Sequence, residues 1–422
     1  MTVDYEHLIE PDRVHGSLYT DPAIFAEEMT RIFATTWVCL GHDSEIPQPG
    51  DYIRRHLGRD EVVVTRAKDG EIHVLLNRCA HRANLVCEDG KGNSNSFRCP
   101  YHGWTYGNDG ELLGYPYFKG YGGKGKLDLR LGSAARVDTY QGFIFASMAS
   151  EGPTLIEHLG PAACEMDRLA ALSPTGEIEL TGTWMKHRAR ANWKMLVENE
   201  TDGYHPQFVH GSIISVSGHA LGHLYSEKSK SVVRALGNGH SELDQREEFR
   251  HIDKPLMWFD TTPERLPDYV AQMREKHGDD TDRLLVDGAP HVMVYPNLFI
   301  AEVTIFLIEP VGVDETIQHS TPVQFKGSPD INRRLISQSM ASVGPAGMLL
   351  ADDTEMYERN QAGVQASQPE WLVLKRGLDR EWVDDDGLQV GVGNDETAMR
   401  AFWSHYRTVM TDDEPSTSEA SQ

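Results

Sequence analysis

Cys79-Ala80-His81-Arg82 and, after seventeen intervening residues, Cys99-Pro100-Tyr101-His102-Gly103-Trp104 decide how this chain is read. Each segment offers one thiolate and one imidazole. Two such loops brought together close a four-ligand metal site, and the chain between them is long enough to form the hairpin that does so. On spacing alone, a structural zinc ion, an iron–sulfur cluster and no metal at all are open. The five cysteines, Cys39, Cys79, Cys87, Cys99 and Cys164, are odd in number and thinly spread over 422 residues, which is not a disulfide framework. Reduced thiols are expected, with Cys87 a small buried hydrophobe.

Around these loops the texture is of short β runs separated by Gly, Pro, Asn and Asp, at residues 52–56, 61–66, 72–77, 97–99 and 143–146. This predicts a small all-β domain over residues 38–150. Before it, Ile24, Phe25, Met29, Ile32 and Phe33 fall near helical spacing, with Asp21 and Pro22 as N-cap and first-turn residue. Residues 1–37 are therefore a helical segment, expected to attach to the second domain.

Beyond residue 150 come helical stretches at 154–171, 193–209, 331–360 and 396–410, long loops, and β runs at 291–300 and 303–309. The strands follow one another directly, so the sheet is expected to be antiparallel and the chain α+β, with a larger domain over 151–410. The polar, acidic tail 411–422 is expected to be disordered.

A formal charge of −24 disfavours nucleic acid as a partner, because phosphate binding needs clustered Lys and Arg. The apolar runs are too short to cross a bilayer and no leader opens the chain, so a cytoplasmic protein is expected. Gly120-Tyr-Gly-Gly-Lys124-Gly125-Lys126-Leu127 departs from a phosphate-binding loop at its last position, where Leu127 stands for the required Ser or Thr; it reads as a mobile surface loop. His219 and His223 have no carboxylate in a matching motif and read as ordinary histidines. The basic run from Lys186 to Lys194 reads as a solvated strand face rather than a docking patch.

A second constellation lies in Asn192-Trp193-Lys194-Met195-Leu196-Val197-Glu198-Asn199-Glu200-Thr201-Asp202-Gly203-Tyr204-His205-Pro206-Gln207-Phe208-Val209-His210. His205 and His210 are five apart, so a helix with one local distortion can aim both imidazoles at one metal. Two His plus one carboxylate would leave three positions open beside the metal, the arrangement that lets Fe(II) bind O₂ next to a substrate.

Both constellations resemble those of the Rieske non-haem iron aromatic-ring-hydroxylating oxygenases, large (alpha) subunit, and the flanking residues of the first speak against zinc. The resemblance implies a Rieske 2Fe-2S cluster on Cys79, His81, Cys99 and His102, in which the two Cys hold one iron and the two His the other. Pro100 and Gly103 suit turns that let backbone N–H groups face the sulfurs. Ala83 departs from the family, which commonly has Gly there. The extra cysteines of respiratory Rieske proteins are missing, which implies the lower-potential kind of cluster.

For the second site the resemblance implies mononuclear Fe(II) on His205, His210 and an Asp reached through Gly344-Pro-Ala-Gly-Met-Leu-Leu-Ala-Asp352-Asp353. Alignment by the Gly selects Asp353, with Asp352 as runner-up. Asp202 takes the role of bridge between His205 and a neighbouring subunit's Rieske histidine, equivalent to His102. Asn199 is a candidate near the iron, and Phe208, Val209, the loop 212–223 and the strand 292–300 are candidates for the pocket.

The implied fold is an all-β Rieske domain plus a catalytic domain whose antiparallel sheet is surrounded by helices, of helix-grip or START-like type. The implied activity is dioxygenation of an aromatic, benzoate-like substrate to a cis-dihydrodiol. A monooxygenase, hydroxylating or demethylating, is the rival within the family, and a zinc-stabilised non-redox binding protein the rival outside it. No dinucleotide fingerprint or flavin motif is visible, so NADH is expected to act through a separate reductase, with or without a ferredoxin. A homotrimer or a three-alpha three-beta assembly with a small beta subunit is implied.

Overall fold

The computed structural model describes residues 3–122, 127–180, 182, 184–216, 220–344 and 347–412. The glycine-rich residues 123–126, His219 and the tail from residue 413 lie outside the described residues. The described chain divides into two compact units, residues 29–155 and residues 3–28 with 156–412.

The smaller unit is built of antiparallel strands. One sheet orders Ile72–Leu76, Asp60–Arg66, Asp51–Leu57 and Lys91–Asn93; a second orders Leu112–Gly114, Thr105–Gly107 and Ser96–Arg98; a third orders Arg136–Tyr140, Phe143–Ser147 and Val38–His42. Val63, Leu75, Phe97, Tyr106, Leu112 and Leu131 form the core of this unit, and Cys79, Cys87 and Cys99 are buried in it. The two ligand loops thus begin inside the hydrophobic core and lead out of it. Cys87 is the buried hydrophobe expected of it.

The larger unit is organised by a nine-stranded antiparallel sheet. Its order is Met185–Ala189, Glu315–Pro322, Thr304–Gly312, Leu298–Ala301, His291–Val294, His240–Asp244, Val232–Gly237, Gln389–Val392 and Trp382–Val383. The single β run expected at 291–300 is a hairpin, because Pro296 and Asn297 interrupt it with a residue that cannot donate to a ladder. The hairpin formed by Val232–Gly237 and His240–Asp244 falls where loops were expected. Every residue of His240–Asp244 is buried, and the carboxylates of Glu242 and Asp244 are tolerated there because Arg168 and Arg246 pair with them at 2.7 and 2.8 Å.

The expected long helices are broken at their glycines and prolines. Residues 154–171 form Leu155–Leu159 and Ala162–Ala171, parted by Gly160 and Pro161. The stretch 331–360 forms Pro329–Ser342 and Met348–Gly363, with Gly344 and Gly347 between. The first helix, Pro22–Arg31, is shorter than its apolar spacing suggested.

Lys194 corrects the reading of a solvated basic run. It is fully buried and ion-paired with Glu28, which also accepts from Trp193 Nε1 at 2.8 Å and from the Tyr406 hydroxyl at 2.7 Å. The basic residue answers an internal acid, not a partner. Among the described residues no helix is long and apolar enough to cross a membrane.

Candidate metal centres

The two loops of the smaller unit repeat one backbone design. Ala83 N–H donates to the Cys79 carbonyl at 2.9 Å and Gly103 N–H to the Cys99 carbonyl at 3.0 Å; Cys79 N–H and Cys99 N–H donate to Asn84 and Trp104 carbonyls, each at 2.8 Å. The resulting tight turns need a left-handed residue four places after each cysteine. Gly103 takes it at φ 70°, and Ala83 takes it at φ 58° in spite of its Cβ.

Both thiols are 2% exposed. Burial raises the pKa of the Cys99 thiol, against hydrogen bonds from the backbone N–H groups of Tyr101 and His102. The turn therefore does aim N–H groups at a sulfur, as Pro100 and Gly103 suggested. Cys79 Sγ lies 3.2 Å from the Tyr106 hydroxyl, which also accepts from Ala80 N–H at 3.1 Å. Tyr106 was missed in the sequence, where Thr105-Tyr106-Gly107 looks like any short strand.

The imidazoles stand together beyond the sulfurs, with the His81 and His102 ring centroids 4.6 Å apart. His81 stacks on Trp104 at 5.0 Å with only 3° between planes. Its Nδ1 is buried with no hydrogen-bond partner. Burial, then the nearby charges of His81 and Arg82, lowers the pKa of His102, which favours the neutral ring a metal needs. Two adjacent thiols, two adjacent rings and an orphaned buried nitrogen fit a cluster with sulfur ligands at one end and nitrogen ligands at the other.

The second centre forms where the helix Trp193–Glu200 stops. Thr201 caps it, and the chain turns through Asp202 and Gly203 before the short helix Pro206–Val209 begins with Pro at its first position. Only glycine fits at 203, since an added Cβ would meet the Gly393 carbonyl oxygen at 2.0 Å. His205 and His210 flank this one-turn helix, and that break, not a distortion within one helix, points both rings the same way.

Asp353 comes from the helix Met348–Gly363. Its Oδ1 lies 3.4 Å from His205 Nε2 and 3.2 Å from His210 Nε2. Donor atoms of the three residues all fall within 4.8 Å of one another. Asp353 Oδ1, His205 Nδ1 and His210 Nδ1 are buried without a properly directed hydrogen bond, so they converge rather than satisfy one another. Burial opposes ionisation of Asp353, but the two imidazoles hold its carboxyl down at about 2. Burial likewise lowers the pKa of His205, yet Asp202 and Asp353 lift it to about 9. Two imidazoles and one ionised carboxylate are the donor set for a divalent metal with open positions. Asp352 lies to one side, 39% exposed at its side chain, with Oδ2 3.6 Å from His210 Nδ1.

Residues 36–138 match the Rieske 2Fe-2S domain family, and residues 177–412 match the catalytic domain of the ring-hydroxylating alpha subunits. The chain belongs to the ring-hydroxylating alpha subunits. As a Rieske non-haem iron oxygenase it combines a 2Fe-2S cluster with mononuclear iron. It is 29% identical over 403 residues to the 2-halobenzoate 1,2-dioxygenase large subunit of Burkholderia cepacia, covering 90% of this chain and 83% of that one. It is 30% identical over 408 residues to the N,N-dimethyl phenylurea N-demethylase subunit alpha of Sphingobium sp. (strain YBL2), covering 89% and 85%. A solved naphthalene 1,2-dioxygenase with indole in its active site superposes with a TM-score of 0.83 at 26% identity, over 97% of this chain and 95% of that one.

Within this alpha subunit the remaining candidates fall unevenly. Asp202 Oδ2 is 3.3 Å from His205 Nδ1. Asn199 is half-buried in the last turn of its helix, where its carbonyl accepts from Asp202 N–H at 3.3 Å, and its side chain makes no hydrogen bond among the described residues. Phe208, expected in the pocket, is 73% exposed and packs edgewise on Tyr204 at 5.7 Å, because the one-turn helix that positions the histidines turns residue 208 outward. Val209 is half-buried. His223 faces Glu248, with Nδ1 3.0 Å from Oε1.

One group near the iron site escaped the sequence reading. Glu200 accepts from Gln318 Nε2 at 2.6 Å, and its carbonyl accepts from His291 Nε2 at 2.6 Å. A charged residue closing an exposed-looking helix carries no sequence signal of being turned inward.

Proposed function

We propose that the chain is the terminal oxygenase component of a multicomponent cytoplasmic system that places both atoms of O₂ on one face of an aromatic ring, giving a cis-dihydrodiol. The observation that carries this reading is the convergence of His205, His210 and Asp353 in a chain that also buries Cys79 and Cys99 beside His81 and His102. His205, His210 and Asp353 would hold the iron, and the two Cys and two His the cluster. Together these groups supply electron storage and O₂ activation when bound.

The chain's own residues do the positioning. The Asp202 carboxylate, with Oδ2 3.3 Å from His205 Nδ1, is placed to fix the tautomer and orientation of that ring once the metal is bound. In an assembled trimer, with or without small beta subunits, Asp202 also joins His205 to His102 of the partner subunit. On the sheet face that also carries Gln318, the partner of Glu200, Phe299 and Phe306 stack at 5.8 Å on neighbouring strands as a flat apolar surface. Electrons would come from NADH through a reductase, directly or by way of a ferredoxin.

Turnover under ¹⁸O₂ with a reductase tests the proposal. Two labels in a dihydrodiol support it. One label in a phenol or a dealkylated product would instead establish the monooxygenase reading, which the similarity to an N-demethylase alpha subunit favours as the alternative.

A further inference from the structure

The helix Trp193–Glu200 ends on a histidine from the large sheet. His291 opens the strand His291–Val294 and places its Nε2 2.6 Å from the carbonyl oxygen of Glu200, the last residue of that helix. Its Nδ1 lies 2.9 Å from Glu302 Oε1. A carbonyl only accepts, so Nε2 carries a hydrogen, and Nδ1 faces a carboxylate, so a ring with both N–H groups suits both neighbours. Burial works against that charge, yet Glu302 and the Glu200 carbonyl outweigh it and raise the pKa of the ring. The last carbonyls of a helix have no partner within it and carry the negative end of its dipole, which a cationic donor answers well.

Glu302 is held in place at a conformational cost. It stands in the two-residue turn between Leu298–Ala301 and Thr304–Gly312 at φ 44°, where glycine is the usual residue. Strain of this kind persists where the side chain is needed, and here the side chain goes to His291.

The helix end leads directly into the loop that bears on the iron site. Thr201 is held by the strand His240–Asp244, the neighbour of His291–Val294, with Oγ1 3.0 Å from Ser241 Oγ. Asp202 comes next. Its N–H donates to the Asn199 carbonyl, its Oδ1 accepts from Tyr204 N–H at 2.7 Å, and its Oδ2 lies 3.3 Å from His205 Nδ1. Among the described residues no hydrogen bond ties the Asp202 side chain to any element outside this loop. Its place therefore depends on where the chain enters the loop, and that is where His291 and Ser241 hold on.

We infer that His291, braced by Glu302, is a positioning residue for the His205, His210 and Asp353 site: by pinning the end of the helix Trp193–Glu200 it keeps Asp202 at His205. This rests on the proposed function and adds to its site two residues that lie outside both ligand motifs.

Electron paramagnetic resonance of the holoprotein tests the inference, read on the reduced cluster and on the nitric oxide adduct of the ferrous site. His291→Phe keeps a ring of similar size and loses both donors. It should retain iron and the parent cluster signal, shift and broaden the nitric oxide signal, and slow reoxidation of the dithionite-reduced cluster by O₂ about tenfold, as loss of a group that orients a ligand does. Glu302→Gly decides even if His291→Phe does not fold. Glycine relieves the left-handed turn, so the unfolding temperature should hold or rise while the nitric oxide signal shifts in the same sense. Glu302→Gln still bonds Nδ1 and should recover most of what Glu302→Gly loses. Parent-like signals in both His291→Phe and Glu302→Gly, or a Glu302→Gly protein that loses fold and iron together, overturn the inference. A natural protein that gives no nitric oxide signal would instead sink the proposed function, and this inference with it.

Discussion

Ala83 and Gly103 hold equivalent places in the two ligand loops, each left-handed and each donating its N–H to the carbonyl of the cysteine four residues before it. The backbone thus asks for glycine twice and receives it once. Ala83→Gly relieves a conformation that costs an L-residue about 1 kcal/mol, partly offset by the extra freedom of the unfolded chain. A net gain of roughly 0.5 kcal/mol is expected, seen as a rise of a degree or two in the unfolding temperature of the Rieske domain. Gly103→Ala should do the reverse and more, since its Cβ would come within 3.2 Å of Arg98 and Pro116. An Ala83→Gly protein that unfolds at a lower temperature would remove the strain argument.

Asp353 and Asp352 are adjacent in sequence but unequal in place. Asp353→Asn removes the charge at the meeting point of both imidazoles and should lower iron occupancy by roughly tenfold or more, while the visible absorption of the cluster persists. Asp352→Asn should keep its iron. Metal analysis of both proteins separates them, and equal iron loss would undo the assignment.

Asp202→Ala takes away the carboxylate 3.3 Å from His205 without touching a donor atom of either centre. Both metals should stay bound and turnover should fall on the order of 100-fold. Wild-type turnover in a fully loaded Asp202→Ala protein would refute the bridging role.

The Lys194–Glu28 pair is sealed from water. Lys194→Met strands the Glu28 carboxylate and should cost about 3–5 kcal/mol of stability. The double variant with Glu28→Gln should recover most of that loss, as denaturant unfolding would show. A single variant as stable as the parent would mean the pair contributes nothing.

Glu198 is the internal acid of the same helix and accepts from Trp403 Nε1 at 2.6 Å and the Tyr19 hydroxyl at 2.9 Å. Burial pushes its carboxyl up from 4.5 to about 7, against those two hydrogen bonds. The folded state therefore keeps a proton that the unfolded chain releases. Its contribution to stability is largest below pH 4.5, declines as pH rises to about 7 and is level above, a drop of roughly 3 kcal/mol. Glu198→Gln should remove that slope from the pH–stability curve; an unchanged slope would place the titration elsewhere.

What could be read from the sequence depended on locality. The Cys-X-His and Cys-X-X-His loops carry their turn residues within a few positions, so ligands and geometry are visible together. Asp353 lies 148 residues beyond His205 by numbering, and only the resemblance pointed to it. The strand His240–Asp244 was hidden by its charges, which look solvated until Arg168 and Arg246 are brought alongside. Lys194 and Glu200 misled for the same reason: each sits inside the fold because of a partner more than 100 residues away. The helix breaks at Gly160-Pro161 and Gly203 were spelled out in the residues, and apolar spacing alone overran them.

Glu28 takes its hydrogen bonds from Trp193, Lys194 and Tyr406, the last of these 378 positions along the chain. A ribosome making this protein therefore releases the acid long before its final donor exists. The Rieske domain can close while still tethered, but the catalytic domain must wait for its last helix, holding an unanswered anion near its start. Translation arrested ahead of Phe402 should yield a nascent chain whose residues 29–155 resist protease and whose remainder does not.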